Sequence, residues 1–256
     1  MINSRTPIIH KLPRDMRSVE ILISSDVHCG SAQFDERKWR EFEKLLDRED
    51  TYVMFVGDQC EYATRSSKSD VYTQRMSPSE QKRWWIDHLR GYTKKVLSII
   101  DGNHEFNRAS RDADDFPLYD IALALGIENV YRSEAAFVDI SLGWDAHNSY
   151  QPNYAGRLVH QAQNLVNYGS SDGIEGIDFF VSGHTHKPKD LPRGKLLYDR
   201  HNKCVREISV ENIVGGHFLN YGGYAERGGW RPTSSKMYSI ILDGTKKRIE
   251  TRGFYI

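Results

Sequence analysis

Apolar, β-branched runs that each stop at a cluster of polar residues are the feature that most restricts how this chain can fold. The runs VEILISS, TYVMFVG and KVLSIIDG are continuously hydrophobic, which is typical of strands buried on both faces of a sheet. Residues 34–46 have apolar side chains at near-helical spacing, and Ser77, Pro78 and Glu80 form a helix-start signature before the third run. This alternation predicts an α/β fold with helical crossovers.

The second half of the chain is richer in short strands. EAAFVDISLG and IDFFVSG are interpreted as strands, GRLVHQAQNLVNYG as a helix, and the segments after Pro192 as the strands KLLYD, CVREISV, HFLNY, MYSIILDG and KRIETRGFYI. No repeat or linker divides the sequence. We therefore expect a single domain over residues 1–256, built as a two-sheet β-sandwich flanked by helices, with an N-terminal extension at residues 1–18 and a polar insertion at residues 62–78.

Composition and charge exclude several classes of protein. Lys and Arg number 35 and Asp and Glu also 35, so no overall positive field attracts polyanions, and any affinity for phosphate has to be local. No window approaches the roughly 18 apolar residues that a membrane span needs, and no signal-peptide core is recognisable. The three widely spaced cysteines favour reduced thiols. We expect a cytoplasmic protein, or one in the host cytoplasm if it is phage-encoded, that has no contact with membranes.

The polar clusters after the apolar runs contain residues that bind metal ions. These clusters are Asp26 with His28, Asp58, Asn103 with His104, His147, and His184 with His186. The spacings DxH and HxH would place both side chains on the same side of an extended backbone, so that each pair can bind one cation. Mixed imidazole and carboxylate ligands suit first-row divalent metals rather than calcium. The expected position of the site is the carboxyl ends of the strands.

In this order, the motifs DVH, GDQCE, GNHE, a lone histidine and GHTH resemble those of the calcineurin-like metallophosphoesterase superfamily, over nearly the whole chain from Val19 onward. The stretch SSKSDVYTQRMSPSEQ followed by GNHE is most similar to small phage and prokaryotic members. The resemblance implies two divalent ions, with Mn favoured and Fe, Zn, Ni or Co as alternatives. It also implies their ligands: Asp26, His28 and His186 for the first metal, Asn103, His147 and His184 for the second, and Asp58 as the bridge between them.

The resemblance further implies a reaction. A hydroxide shared by two metals would attack the phosphorus atom in line, His104 would protonate the leaving alkoxide, and Glu105 would fix the tautomer of His104. GDQCE lacks the GDxVDRG form of serine/threonine protein phosphatases, which argues against a phosphoprotein substrate. Within the family, we favour a phosphodiesterase that acts on nucleotides or nucleic acid. The alternatives are a phosphomonoesterase for a small substrate and a non-catalytic scaffold with the same fold.

The identity of the lone histidine stays open between His147 and His160. His147 is preferred, because it follows the strand-like AFVDISLGWDA, whereas His160 lies in the segment interpreted as a helix.

Several other side chains are candidates for contacts with a substrate or partner. Basic residues near two of the motifs could bind a non-reacting phosphate: Arg65, Lys68, Arg75, Arg108 and Arg111. Aromatic residues could stack on a base or simply pack in the second sheet: Tyr150, Tyr154, Tyr221, Tyr224 and Trp230, interleaved with Arg227 and Arg231. Trp84 and Trp85 are expected in the core or at a homodimer contact.

Overall fold

Thirteen strands and five α-helices are present in the structure, a computed structural model that describes residues 5–67, 71–144, 151–160 and 174–256. The strands are β1 (Ile8–Lys11), β2 (Ser18–Ser24), β3 (Thr51–Val56), β4 (Val96–Ile100), β5 (Tyr131–Arg132), β6 (Ala135–Ser141), β7 (Asn153–Val159), β8 (Phe179–Ser182), β9 (Lys189–Asp190), β10 (Arg193–Asp199), β11 (Cys204–Val214), β12 (Lys236–Asp243) and β13 (Ile249–Tyr255). The helices are α1 (Glu36–Leu46), α2 (Pro78–Leu89), α3 (Arg111–Ala113), α4 (Pro117–Leu125) and α5 (Tyr224–Arg227), and a π-helical segment spans His104–Ser110.

The strands form two mixed sheets. One sheet has the order β13-β12-β2-β3-β4-β5, in which β2 to β5 are parallel, and the other has the order β1-β6-β7-β8-β11-β10 with β9 beside β11. Strands β7, β8 and β11 are parallel to one another, so their carboxyl ends lie at the same edge. The expected α/β fold with two sheets and flanking helices is confirmed.

Burial follows the hydrophobic patterns of the sequence. Every residue of β3 and β4 is buried, as continuous apolar runs predict, whereas β6 and β7 alternate between buried and half-buried residues because one face of each lies on the core. Strand β4 packs against β6, which brings the two sheets into contact.

Helices α1 and α2 cover one face of the first sheet through an aromatic cluster. Trp39 of α1 lies 4.8 Å from Trp85 of α2 between ring centroids, and both side chains are buried. Ser77 and Glu80 form the reciprocal hydrogen bonds of a capping box, with Pro78 in the first turn, so the predicted start of this helix is confirmed. None of the described helices combines the length and the hydrophobicity that crossing a membrane requires.

Two sequence-based assignments are wrong. The predicted helix GRLVHQAQNLVNYG begins as strand β7, because Tyr154 and Leu158 alternate into the core and Gly156 lies directly against the ring of Phe179, where a side chain would not fit. The predicted strand HFLNY forms only one isolated bridge, between Phe34 and Leu219, since its backbone binds the loops at the edge of the first sheet instead. Within the predicted N-terminal extension, residues 8–11 form the edge strand β1 beside β6.

Candidate metal centre

Five strand ends converge on one cluster of imidazole and carboxylate groups. The strands β2, β3, β4, β7 and β8 deliver these residues in turn: Asp26 and His28, Asp58, Asn103 and His104, His160, and His184 and His186. Within it, the donor atoms of Asp26, His28 and His186, and those of Asp58, His160 and His184, each lie within 4.8 Å of one another. Both groups have the composition expected for a divalent first-row metal.

The donor atoms of the first group lie close to one another. Asp26 Oδ1 lies 3.2 Å from His186 Nε2, and that nitrogen lies 3.2 Å from Nε2 of His28. His28 Nδ1 lies 3.1 Å from Oε2 of Glu61, so Nδ1 carries a proton, and Nε2 is the nitrogen available to a metal. A histidine that binds a metal through one ring nitrogen commonly donates the proton of the other nitrogen to a carboxylate, as His28 does to Glu61.

The second group shows the same orientation of its histidine. His160 Nδ1 donates to the carbonyl of Val56 at 2.7 Å, which leaves Nε2 facing Asp58 Oδ2 at 3.1 Å and Asn103 Oδ1 at 3.3 Å. His184 Nδ1 lies 2.7 Å from the same amide oxygen of Asn103. Each group therefore has side chains that fit a divalent cation, and Asp58 Oδ2 lies 3.1 Å from His160 Nε2 and 3.8 Å from His104 Nε2.

The buried charges of the cluster control one another's pKa values. Burial alone would raise the pKa of Asp26, but the His186 imidazole outweighs it and lowers that pKa to about 2. Burial also opposes ionisation of Asp58, whose pKa is nevertheless held well below its usual range by His104 and His160. Conversely, burial would lower the pKa of His160, but the carboxylates of Asp58 and Asp26 raise it. Ionised carboxylates in this enclosed site thus stabilise positive charge among them.

A left-handed backbone conformation just after the strands directs several candidate ligands into the cluster. Five of them have positive φ angles: Asp26 at 51°, His28 at 51°, Asp58 at 53°, His184 at 70° and His186 at 52°. The expectation that DVH and GHTH lie on extended backbone is therefore wrong, although both pairs do converge. Non-glycine residues rarely adopt this left-handed region, and such strained residues concentrate at functional sites.

His104 lies beside the cluster, at the start of the π-helical segment. Its Nδ1 donates to the backbone carbonyl of Glu61 at 2.9 Å, so Nε2 is the nitrogen that faces Asp58 Oδ2, at 3.8 Å. Burial lowers the pKa of His104 to about 3.

Glu105 does not fix the tautomer of His104, contrary to the prediction. Its carboxylate accepts hydrogen bonds from the backbone amides of Asp58, Cys60 and Gly102 at 3.0, 2.9 and 2.8 Å, and so connects the ends of β3 and β4. The carboxylate is engaged by these three amides, and His104 Nδ1 is bonded to the carbonyl of Glu61 instead, which explains the difference. Burial, with Asp58 nearby, raises the pKa of Glu105 to about 7.

His160 is the lone histidine that lies in the cluster. The sequence analysis preferred His147 because it assigned His160 to a helix, but residues 153–159 form strand β7, and His160 follows directly at the end of this strand. His147 lies outside the described residues.

Glu61 is a buried residue of the site that sequence reasoning missed. Its carboxylate contacts His28 Nδ1 at 3.1 Å and Arg108 Nη1 at 3.0 Å. Burial would raise the pKa of Glu61, but His28, His104 and Arg108 lower it to about 2. The only signal in the sequence was an acid three residues after Asp58, which nothing distinguishes from a solvated glutamate.

Replacing Glu61 with Gln is expected to weaken Mn²⁺ binding about 10- to 100-fold, the usual effect of removing a carboxylate behind a metal-binding histidine. Isothermal titration calorimetry with metal-free protein measures the affinity. Glu43→Gln is the matched control, because Glu43 pairs with His88 Nδ1 at 2.9 Å between α1 and α2. Equal affinities for the two variants would contradict the assigned role of Glu61.

Most of the described basic residues that were predicted to bind a non-reacting phosphate do not reach the site. Arg108 reaches the site, where it is bonded to Glu61. Arg65 and Arg111 are exposed, and Arg111 pairs with Asp112 at 3.3 Å. Arg75 is also exposed and donates to the carbonyl of Phe34. Lys68 lies outside the described residues.

A further histidine supports the first group from outside. The ring of His217 stacks on that of His186, with centroids 5.3 Å apart and planes at 26°. Its Nε2 lies 2.8 Å from the hydroxyl of Thr233, and the amide of Leu219 donates to its Nδ1 at 3.2 Å.

Comparisons with known proteins agree with these features. The sequence matches the family model of calcineurin-like phosphoesterases over residues 19–188. A search of curated proteins finds no significant match.

Three solved structures are among those that match this fold. A predicted phosphoesterase from Streptococcus pneumoniae is 12% identical, with 93% of this chain and 99% of that chain covered and a TM-score of 0.39. A metallophosphoesterase from Sphaerobacter thermophilus is 13% identical, with 92% and 88% covered and a TM-score of 0.44. A single mutant of Vps29 from Entamoeba histolytica is 14% identical, with 92% and 99% covered and a TM-score of 0.40.

Proposed function

Because the chain belongs to the calcineurin-like phosphoesterase family, we propose that it is a hydrolase that uses two divalent metal ions to cleave phosphodiesters of nucleotides or nucleic acid. The observation that carries the proposal is the convergence of two donor groups at one edge of the sheets. The buried carboxylate of Asp58 belongs to the second group and lies 3.8 Å from His104.

The proposed ligands follow the two groups. Asp26, His28 and His186 would hold one ion, Asn103, His160 and His184 the other, and Asp58 would contact both. His160 takes the lone-histidine position because its Nε2 lies 3.1 Å from Asp58 and its Nδ1 proton is bound by Val56. Bound divalent ions, with Mn²⁺ favoured, would polarise the phosphoryl oxygens and lower the pKa of an attacking water molecule.

The chain's own contribution at the leaving group comes from His104. Since Nδ1 is bonded to the carbonyl of Glu61, Nε2 is the atom that would exchange a proton with the ester oxygen. Its low pKa makes the ring neutral near pH 7, and the negative charge of a bound phosphate would shift the ring toward the protonated form. Burial of His104 also excludes competing water from this proton transfer.

Charge near the site favours a diester. Of the four described basic residues that were predicted to bind a phosphate, Arg108 reaches the cluster, and its charge is offset by Glu61. A phosphomonoester carries close to two negative charges at pH 7 because its second pKa is about 6, whereas a diester carries one. Beyond the proposed metal ions, the described part of the site therefore adds little positive charge for a second phosphate charge, which suits the diester.

The test is a comparison of three substrates with Mn²⁺-loaded protein. We expect faster hydrolysis of bis(p-nitrophenyl) phosphate and single-stranded DNA than of p-nitrophenyl phosphate, measured as kcat/KM. A preference for p-nitrophenyl phosphate would replace the proposal with a phosphomonoesterase. No hydrolysis of any ester with Mn, Fe, Zn, Ni or Co would leave the non-catalytic scaffold.

The variant His104→Ala tests whether the measured hydrolysis takes place at this site. Its turnover should fall about 10²- to 10⁴-fold, the usual range for losing a general acid, while its metal content by mass spectrometry stays near that of the unmodified protein. Turnover at the original rate would show that the activity does not use His104.

A further inference from the structure

A loop next to the first donor group presents aromatic and basic side chains that the fold does not use. We define the 221–231 loop as residues 221–231, with the sequence YGGYAERGGWR. It includes the short helix α5 and lies between His217, which stacks on His186, and Thr233, which is hydrogen-bonded to that same His217. The loop is thus held at both ends by contacts that lead to a candidate metal ligand.

The residues before the loop bind the backbone of the first group directly. The amide of Phe218 donates to the carbonyl of Asp26 at 3.2 Å, and the amide of Asn220 donates to the carbonyl of Gln33 at 2.8 Å. Gly223 also lies tightly against the Gln33 side chain, where a Cβ would come within 2.7 Å of its Nε2. These contacts place the start of the loop beside the segment that carries Asp26 and His28.

Two aromatic rings of the loop are exposed and held in place. The side chain of Tyr221 is 49% exposed and that of Trp230 is 57% exposed. The Tyr221 hydroxyl donates to the backbone carbonyl of Trp230 at 2.8 Å, and the amide of Trp230 donates to the carbonyl of Ala225 at 2.9 Å. By contrast, Tyr154, another aromatic candidate, is fully buried and bonded to Asp243. Core packing therefore accounts for Tyr154 but not for Tyr221 and Trp230.

The positive charge of the 221–231 loop is complementary to a polyanion. Arg227 and Arg231 are exposed and the only acid between residues 221 and 231 is Glu226, so this segment is positive in a protein whose net charge is +0. Exposed aromatic rings interleaved with arginines form the usual surface for single-stranded nucleic acid, in which bases stack on the rings and phosphates lie near the guanidinium groups. A duplex would not offer free base faces to such rings.

We propose that the 221–231 loop binds the bases and phosphates of a single-stranded nucleic acid substrate, with Tyr221 and Trp230 as the stacking platform and Arg227 and Arg231 as the phosphate contacts. The inference rests on the proposed phosphodiesterase function, since it specifies the substrate of that same site. Tyr150, also named as a stacking candidate, lies outside the described residues.

The experiment compares two diesters on Mn²⁺-loaded protein: a fluorescein-labelled oligothymidylate, which has bases to stack, and bis(p-nitrophenyl) phosphate, which has none. In Trp230→Ala, kcat/KM on the oligonucleotide should fall about 5- to 150-fold more than kcat/KM on the small diester, the range expected for losing one stacked base. Arg231→Gln should also lower the ratio of the two rates and flatten its dependence on salt. Tyr255→Ala, which removes a 72% exposed ring from β13, is the matched control and should leave the ratio unchanged.

The outcomes separate the two proposals. Equal losses on both substrates in Trp230→Ala, or a faster rate on duplex than on single-stranded DNA, would overturn the role of the loop while the phosphodiesterase function stands. An unmodified protein that hydrolyses neither diester would overturn both.

Discussion

Replacing Asp58 with Asn is expected to remove tightly bound metal and to lower turnover of bis(p-nitrophenyl) phosphate by about 10³-fold or more, since Lewis-acid stabilisation by a metal is worth several kcal/mol and each 1.36 kcal/mol is tenfold in rate. The carboxylate is 2% exposed, its Oδ2 faces His160 and His104, and its Oδ1 accepts from the amide of His104 at 2.8 Å. Asparagine keeps the shape and one acceptor oxygen but removes the charge. Metal content by mass spectrometry and kcat measure the effect.

The matched control for this change is Asp101→Asn. Asp101 is also buried near the end of β4, but its carboxylate accepts a hydrogen bond from the hydroxyl of Tyr131, at 2.6 Å, which an amide oxygen can accept as well. We expect this variant to keep its metal. If Asp58→Asn still binds two equivalents of metal as tightly as the control does, Asp58 does not contact both ions.

The sequence predicted the position of the site because buried parallel strands are easy to recognise. Continuous apolar runs such as those of β3 and β4 identify strands with both faces covered, and the residues after them must lie at the same sheet edge. Asp58 and Asn103 follow these runs directly, and the structure brings them together with His160 and His184. Strand order and direction thus account for the shared sheet edge, while the left-handed backbone at Asp58 and His184 orients their side chains there.

The features that the sequence analysis missed depend on backbone conformation and on contacts between residues far apart in the sequence. The segment of β7 carries Gly156, whose fit against Phe179 exists only in the folded sheet, so local periodicity favoured a helix and moved the lone-histidine prediction away from His160. Glu61 is selected by contacts with His28 and Arg108, which are 33 and 47 residues away. The left-handed backbone at the candidate ligands is not encoded by glycine or asparagine and could not be expected from composition.

Gly102 shows how little space separates the candidate ligands. A Cβ on this residue would overlap the backbone amide nitrogen and the Oδ1 atom of Asp58, and Gly102 itself donates to Glu105, which also binds the Asp58 amide. Backbone and a buried carboxylate cannot give way as a flexible side-chain end can. Any added methyl group must therefore displace the end of β3 or of β4.

We accordingly expect Gly102→Ala to lower the free energy of unfolding by about 1–3 kcal/mol through overpacking, and turnover by about 10²-fold, because a displacement of 1 Å at a catalytic site costs that much. Chemical denaturation, metal content and kcat on bis(p-nitrophenyl) phosphate measure the three effects. Gly91→Ala is the control, since a Cβ there would meet no atom within 4 Å, and its stability and turnover should not fall. A Gly102→Ala variant as stable, as metal-rich and as active as Gly91→Ala would mean that the ends of β3 and β4 can separate without disturbing Asp58. Rigid positioning of this carboxylate could then no longer explain how the proposed site would hold two ions.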